Sequence, residues 1–318
     1  MSPISTGYDW DFDLIERYDT AIGAAAAEYG LDTYPNQIEI ISSEQMLDAY
    51  ASSGLPMGYP HWSYGTEFIR NERAYRNGAQ GLAYEIVINS NPCIAYLMEE
   101  NSIMMQALVV AHASYGHNSF FKGNYLFRQS TSADSILDYL VFARRYVMEC
   151  EERHGTGAVE EVLDSCHALM QHGVDRYKRP APLSLRGEEA RAAQREEHVR
   201  KQFNDLWRTV PSSASVANAA GTTRFPVEPE ENILYFVEKH SPKLCPWQRE
   251  LVRIVRKLAQ YFYPQAQTKV MNEGWATFWH YTLINRLYEQ GQVDDGFMLE
   301  FLQSHTNVVR QSGFDAPG

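Results

Sequence analysis

The most constraining feature of the chain is a helical pattern running from Ile94 to about Phe121. Its middle, from Ile103 through Met104, Met105, Ala107, Leu108, Val109 and Val110 to Ala111, is apolar on every side rather than along one stripe. A helix of that kind cannot face water and must be enclosed by other elements. Enclosure takes a large chain. With 318 residues, 44% hydrophobic and 13% aromatic, the protein is globular by composition and long enough for one large domain or two small ones.

The surrounding segments read as the wrapping. Residues 10–29 form an amphipathic helix with Phe12, Leu14, Ile15, Tyr18 and Ile22 near one face, ended by Gly30. Ser43 opens a short helix after which Gly and Pro make 54–62 a loop, and 63–77, 134–153 and 157–172 are further helices. Apolar helices resume at Asn232 and run to about Gln303. Two stretches break the helical pattern: Gln37–Ile41 alternates, and Tyr84–Asn89 (YEIVIN) is the clearest strand, stopped by Ser90-Asn91-Pro92. The expected fold is mainly α: a single helical domain over 1–318 with a small β element of two or three short strands, compatible with a loosely zincin-like arrangement. Residues 174–230 differ and read as an insertion, with a charged helix or solvated arm at 186–201 and a flexible loop at 211–223. Residues 311–318 read as a loop.

Charge and cysteine content narrow the function classes. Lys and Arg total 28 against 40 Asp and Glu, a net charge of −12. Nonspecific nucleic-acid binding needs a basic face, so no nucleic-acid partner is expected. No stretch is apolar for long enough to cross a membrane, and the N-terminus lacks the pattern of a signal peptide. Cys93, Cys150, Cys166 and Cys245 form no CxxC pair and read as free, buried thiols in a reducing, cytoplasmic setting. Phosphate-binding glycine motifs and the GxSxG elbow are missing too, so nucleotide and serine-hydrolase chemistry has no support.

Three constellations remain. His112 and His117 end the enclosed helix (HASYGH) and suit a metal, since neutral imidazole is a common ligand; two satisfied core histidines are the bland alternative. Their i,i+5 spacing places them about 140° apart on an ideal α-helix. They converge only if the helix carries a π-bulge or breaks, and Gly116 is well placed for either. A standard HExxH motif is excluded, because Ala113 stands where its Glu would be. Next, Glu273, Thr277 and His280 share a stripe on a helix otherwise rich in Trp275, Phe278, Trp279 and Tyr281. That stripe reads as a buried hydrogen-bond network or as partners for the histidines. Glu273 is a candidate ligand and catalytic carboxylate. His280 is a further metal candidate, although about 10.5 Å of rise makes a supporting role more natural, and Trp275 is a substrate contact. Finally, His61 and Tyr64 suit a cleft wall and Glu67 a general base, the alternative being an ordinary helix start. Glu99 and Glu100 read as the N-terminal end of the enclosed helix, about 18 Å of rise from His112. His154, His167, His172, His198, His240 and His305 read as structural or surface residues.

Four segments carry a resemblance: PHWSYGTEF (60–68), AYEIVINSNP (83–92), VVAHASYGHNSFFKGN (109–124) and MNEGWATFWHY (271–281). With them the chain resembles the SpoVR family (stage V sporulation protein R) over nearly its whole length, closest to the Gram-negative type. Family members usually continue beyond this point, so the resemblance implies a chain truncated at the C-terminus. It also implies a link to spore-cortex assembly or to stress and stationary-phase physiology, and partners of the PrkA-type serine kinase and von Willebrand-type classes.

Two functions are expected from these residues and this resemblance. One is a metal-dependent hydrolase of peptide or peptidoglycan-type amide bonds, with His112, His117 and Glu273 around a divalent ion such as zinc, and the strand at 84–89 flanking the cleft. The other is a non-catalytic regulatory or scaffold protein acting with the kinase and its partner. A di-iron carboxylate oxidase lacks its ExxH pairs.

Overall fold

The computed structural model describes residues 3–51, 58–78, 84–177 and 231–310, with scattered positions between 187 and 201. Helices dominate, around one three-stranded sheet. Strand β1 (Asn36–Ile41) runs parallel to β3 (Cys93–Met98), β2 (Glu85–Ile88) runs antiparallel to it, and the order is β1-β3-β2.

The central strand corrects the expected start of the long helix. Residues 93–98 are β3, and helix α4 (Ile103–Val109) begins only after Ser102, whose hydroxyl accepts the Met105 N–H at 3.2 Å. Cys93-Ile-Ala-Tyr-Leu-Met is an unbroken apolar run because helices cover both faces of the sheet. Such a strand loses the alternation that separates it from a buried helix. Glu99 and Glu100 accordingly occupy the turn after β3, not the start of a helix.

Alternation reappears in which core each β3 residue joins. Ala95 and Leu97 face α1 (Phe12–Glu28), α4 and its continuation, together with α11 (Asp295–Val309). Ile94 and Tyr96 face α7 (Ile136–His154), α8 (Thr156–Ala168) and α9 (Ile233–His240). Helix α10 (Pro246–Glu289), 44 residues and about 66 Å long, serves both cores. Leu251–Tyr261 pack in the second, Leu283–Leu287 in the first, and Pro264 lies between them. Each fully buried Leu or Ile here stabilises the fold by about 1.5–3 kcal/mol.

Two helices differ in burial: α2 (Ser43–Ala51) encloses Met46 and Leu47, and α3 (Trp62–Arg76) none of its residues. The segments α5 (Asn118–Gly123) and α6 (Tyr125–Ser130) continue from the enclosed helix. The described positions between 187 and 201 are helical, in keeping with the charged segment expected there, whereas 202–230, including the expected loop at 211–223, and 311–318 lie outside the described residues. Cys93, Cys150 and Cys166 are free and buried, but Cys245 is exposed at the start of α10. Among the described residues no helix is long and apolar enough to cross a membrane.

Candidate metal centre

The helix that starts as α4 changes its winding where the two histidines sit. Val110–His117 is π-helical and the chain returns to α geometry at Asn118. Hydrogen bonds from i to i+5 bring residues five apart onto one side, so His112 and His117 meet with ring centroids 4.6 Å apart. Gly116 lets the wider segment lie against α10. A Cβ built there would fall 2.7 Å from the Cα of Ala276, a backbone atom that cannot step aside. The close approach sets Asn272, Glu273 and His280 of α10 beside the π segment.

Strand β2 supplies the remaining carboxylate. Glu85 and Val87 share the sheet face turned towards the π segment, while Ile86 and Ile88 belong to the opposite core. His112 Nε2 lies 3.7 Å from Glu85 Oε1 and 3.6 Å from Glu273 Oε2, and His117 Nε2 lies 3.8 Å from the same Glu273 oxygen. Ligand atoms of Glu85, His112 and His117 all fall within 4.8 Å of one another. Two donors bound to one zinc-sized ion at about 2.0–2.2 Å each sit roughly 3–4 Å apart, so this spacing fits ligands sharing an ion.

Hydrogen bonding turns the correct nitrogens inward. His117 Nδ1 donates to Asn272 Oδ1 at 2.9 Å, which leaves the Nε2 lone pair facing the cluster. His112 Nδ1 is 2.9 Å from His280 Nδ1, and His280 Nε2 is 2.8 Å from His305 Nδ1. One proton arrangement satisfies the chain with Nε2 of His112 free: His112 donates to His280, which donates to His305. Such outer partners fix the tautomer and ring orientation of metal-binding histidines.

The electrostatics point the same way. Burial, reinforced by His112, lowers His117 to about 4, and burial with His112 pushes His280 down as well. Both rings are therefore neutral near pH 7. Burial raises the Glu85 carboxyl, with Glu273 adding and His112 opposing. The hydrogen-bonding influence of His112 holds Glu273 below the usual carboxylate range. The side chain of Glu273 is 53% exposed and that of Glu85 only 19%, so the cluster opens at Glu273. Two carboxylates and two imidazoles form a set that suits a divalent cation, and N/O donors of this kind fit zinc, iron(II) or manganese.

Not every residue singled out in the sequence comes to this place. His280 is fully enclosed one ring behind His112, with both nitrogens occupied. Trp275 lies on α10 against α5, its indole N–H donating to Ser119 Oγ. Glu67 is on the exposed surface of α3, paired with Arg70 at 2.9 Å. His61 caps α3 and gathers with Tyr64, Tyr59 and His167 in a separate aromatic cluster. Glu85, Asn272 and His305 were not singled out. A carboxylate inside an otherwise apolar strand was the signal for Glu85.

Fold and cluster define a mainly helical protein with a histidine–carboxylate centre mounted on a π segment. The family profile described as SpoVR like protein matches residues 9–316, and the chain belongs to the SpoVR family. It is similar to the protein YcgB of Escherichia coli (strain K12), 63% identical over 314 residues, which are 99% of this chain and 62% of that protein. The chain thus spans less than two thirds of the length of that relative. No solved structure matches it.

Proposed function

We propose that Glu85, His112 and His117 hold a divalent metal ion with Glu273 at its open side, and that the chain is a metal-dependent hydrolase acting on peptide or peptidoglycan-type amide bonds. The observation that carries this reading is the inward convergence of two Nε2 atoms, each with its Nδ1 engaged, on two carboxylates. A bound divalent ion supplies Lewis acidity towards an amide carbonyl and makes water a nucleophile near neutral pH. Asn272 and His280 orient the two imidazoles. Glu273, half-exposed and ionised, stands at the opening, where a carboxylate can take the proton of attacking water. Glu85 is enclosed and suits holding rather than proton transfer.

The test is cleavage of a blocked peptide and of a peptidoglycan-derived amide by the chain reconstituted with zinc, manganese or iron(II). Metal-dependent turnover that falls at least about 100-fold in Glu273→Gln supports the reading. Absence of turnover with every metal and both substrates contradicts it.

A second reading, a regulatory protein acting with a PrkA-type kinase and a von Willebrand-type partner, has one observation behind it. Val270, Met271 and Phe278 are 86%, 61% and 58% exposed on α10 beside Glu273. Apolar side chains grouped on one helix face suit a protein partner. An open coordination position separates the two readings, since structural metal sites are closed.

A further inference from the structure

We infer that the outer edge of β2 binds an extended peptide as an added strand, and that Glu85 and Val87 supply its backbone hydrogen bonds. Such an edge would hold the substrate of the proposed hydrolase; binding itself does not depend on that reading, and only cleavage of the bound peptide does.

Register decides which backbone groups of β2 are free. Glu85 pairs with Leu97 and Ile86 with Tyr96, and beyond them the Met98 N–H donates to the Tyr84 carbonyl at 3.2 Å. In an antiparallel ladder, directly opposed residues alternate between pairs that exchange hydrogen bonds and pairs that do not. The 84–98 bond therefore places the exchanging pairs at 84–98, 86–96 and 88–94. Glu85 and Val87 turn their N–H and C=O groups away from β3. Because β2 ends the sheet, these groups face its outer edge. Among the described residues no hydrogen bond reaches them.

The same two residues point their side chains to the sheet face that carries the histidine–carboxylate cluster. Glu85 contributes its carboxylate and Val87 packs against the core on that face. Positions 85 and 87 are about 6.8 Å apart, the repeat of an extended chain, so one peptide can bond to both. The opposite edge of the sheet differs. There Gln37 Nε2 donates to Glu39 Oε1 at 2.6 Å along β1, a polar pair of the sort that discourages added strands. On β2 the one charged side chain is drawn into the cluster and leaves the edge unguarded. Main-chain pairing of this kind recognises an extended backbone and tolerates many side chains.

The test uses the full 318-residue chain and the blocked peptide acetyl-Thr-Val-Thr-Val-Thr-amide, with two analogues N-methylated at alternate nitrogens in opposite registers. Residue-resolved amide exchange is measured with and without peptide, and with and without zinc. Slower exchange at Glu85 and Val87, no change at Ile86 and Ile88, and about tenfold weaker binding of one N-methyl register alone support the inference. Val87→Pro removes an outward donor without touching the ladder and weakens the parent peptide by a similar factor. Equal binding of both registers, or no protection at Glu85 and Val87 at millimolar peptide, overturns it. Zinc uptake without protection defeats the edge and leaves the metal reading standing; protection without zinc uptake does the reverse.

Discussion

Two groups of buried and half-buried histidines lie in this molecule and their chemistry differs. On the π segment, His112 and His117 have Nδ1 engaged by His280 and Asn272, and their Nε2 atoms face two carboxylates across gaps of 3.6–3.8 Å. At the start of α3, His61 and His167 lie 4.5 Å apart, but local partners fill the space around them. Ser63 Oγ is 2.6 Å from His61 Nδ1, Asp164 Oδ1 is 3.2 Å from His61 Nε2, and the Tyr59 hydroxyl is 2.6 Å from His167 Nε2. Asp164 is further held by the Trp62 indole N–H at 2.8 Å. The second group is a packed cluster of rings that ties α3 to α8, with one carboxylate, Asp164, near His61 Nε2 in place of a converging ligand set. The difference teaches that histidine count and burial do not mark a ligand set. Convergent lone pairs with a gap between them are what the proposed ligand set adds.

Substitution of glycine gives the largest contrast. Gly116→Ala drives a methyl against the α10 backbone at 2.7 Å and is expected to cost about 3 kcal/mol while separating the ligands. Gly65→Ala, on α3 beside the second group, meets nothing within 4 Å and is expected to stabilise by up to about 1 kcal/mol. Chemical denaturation of both variants checks the opposite signs. His280→Ala comes next. It removes a fully buried ring and the partner of His112, so about 2–3 kcal/mol of stability and 10- to 100-fold in metal affinity should be lost. His61→Ala removes a helix cap worth about 1–2 kcal/mol and should leave metal affinity unchanged, by calorimetric titration.

Acid sensitivity sharpens the comparison further. Burial lowers both His117 and His167 to about 4, against an unfolded value near 6.5. Above pH 6.5 neither state is protonated. As the pH falls towards 4 the unfolded chain takes up protons that the folded chain refuses, so stability is lost through that window. Denaturation midpoints between pH 4 and 7.5 should show this slope. Zinc should steepen it in wild type and in His167→Gln but not in His112→Ala, because protons compete with metal only at the first group. The smallest effect belongs to Glu67→Gln. Loss of its exposed pair with Arg70 should change stability by under about 0.5 kcal/mol and leave metal binding untouched, in the same assays.

Much of the architecture was legible in residue patterns. The all-apolar stretch 103–111 required an enclosed helix, and the i,i+5 histidines could converge only through a π-bulge or a break near Gly116, of which the π segment supplies the first. Strand β3 was hidden because burial on both faces erased its alternation, so Ile94–Met98 merged with the helix after it. The site was legible where helical spacing governs it, at His112, His117 and Glu273. Glu85 reaches the cluster through sheet pairing, and Asn272 and His305 through tertiary contact; one-dimensional spacing encodes neither.

Metal content measured side by side tests the central claim most directly. Wild type, His112→Ala, Glu273→Ala and His61→Ala are purified alike, incubated with zinc, manganese or iron(II), desalted and analysed by inductively coupled plasma mass spectrometry. The proposed metal centre predicts about one equivalent of a single metal in wild type and His61→Ala, and at least a tenfold loss in the other two. No retained metal in any preparation, or equal retention in His112→Ala and His61→Ala, would contradict it.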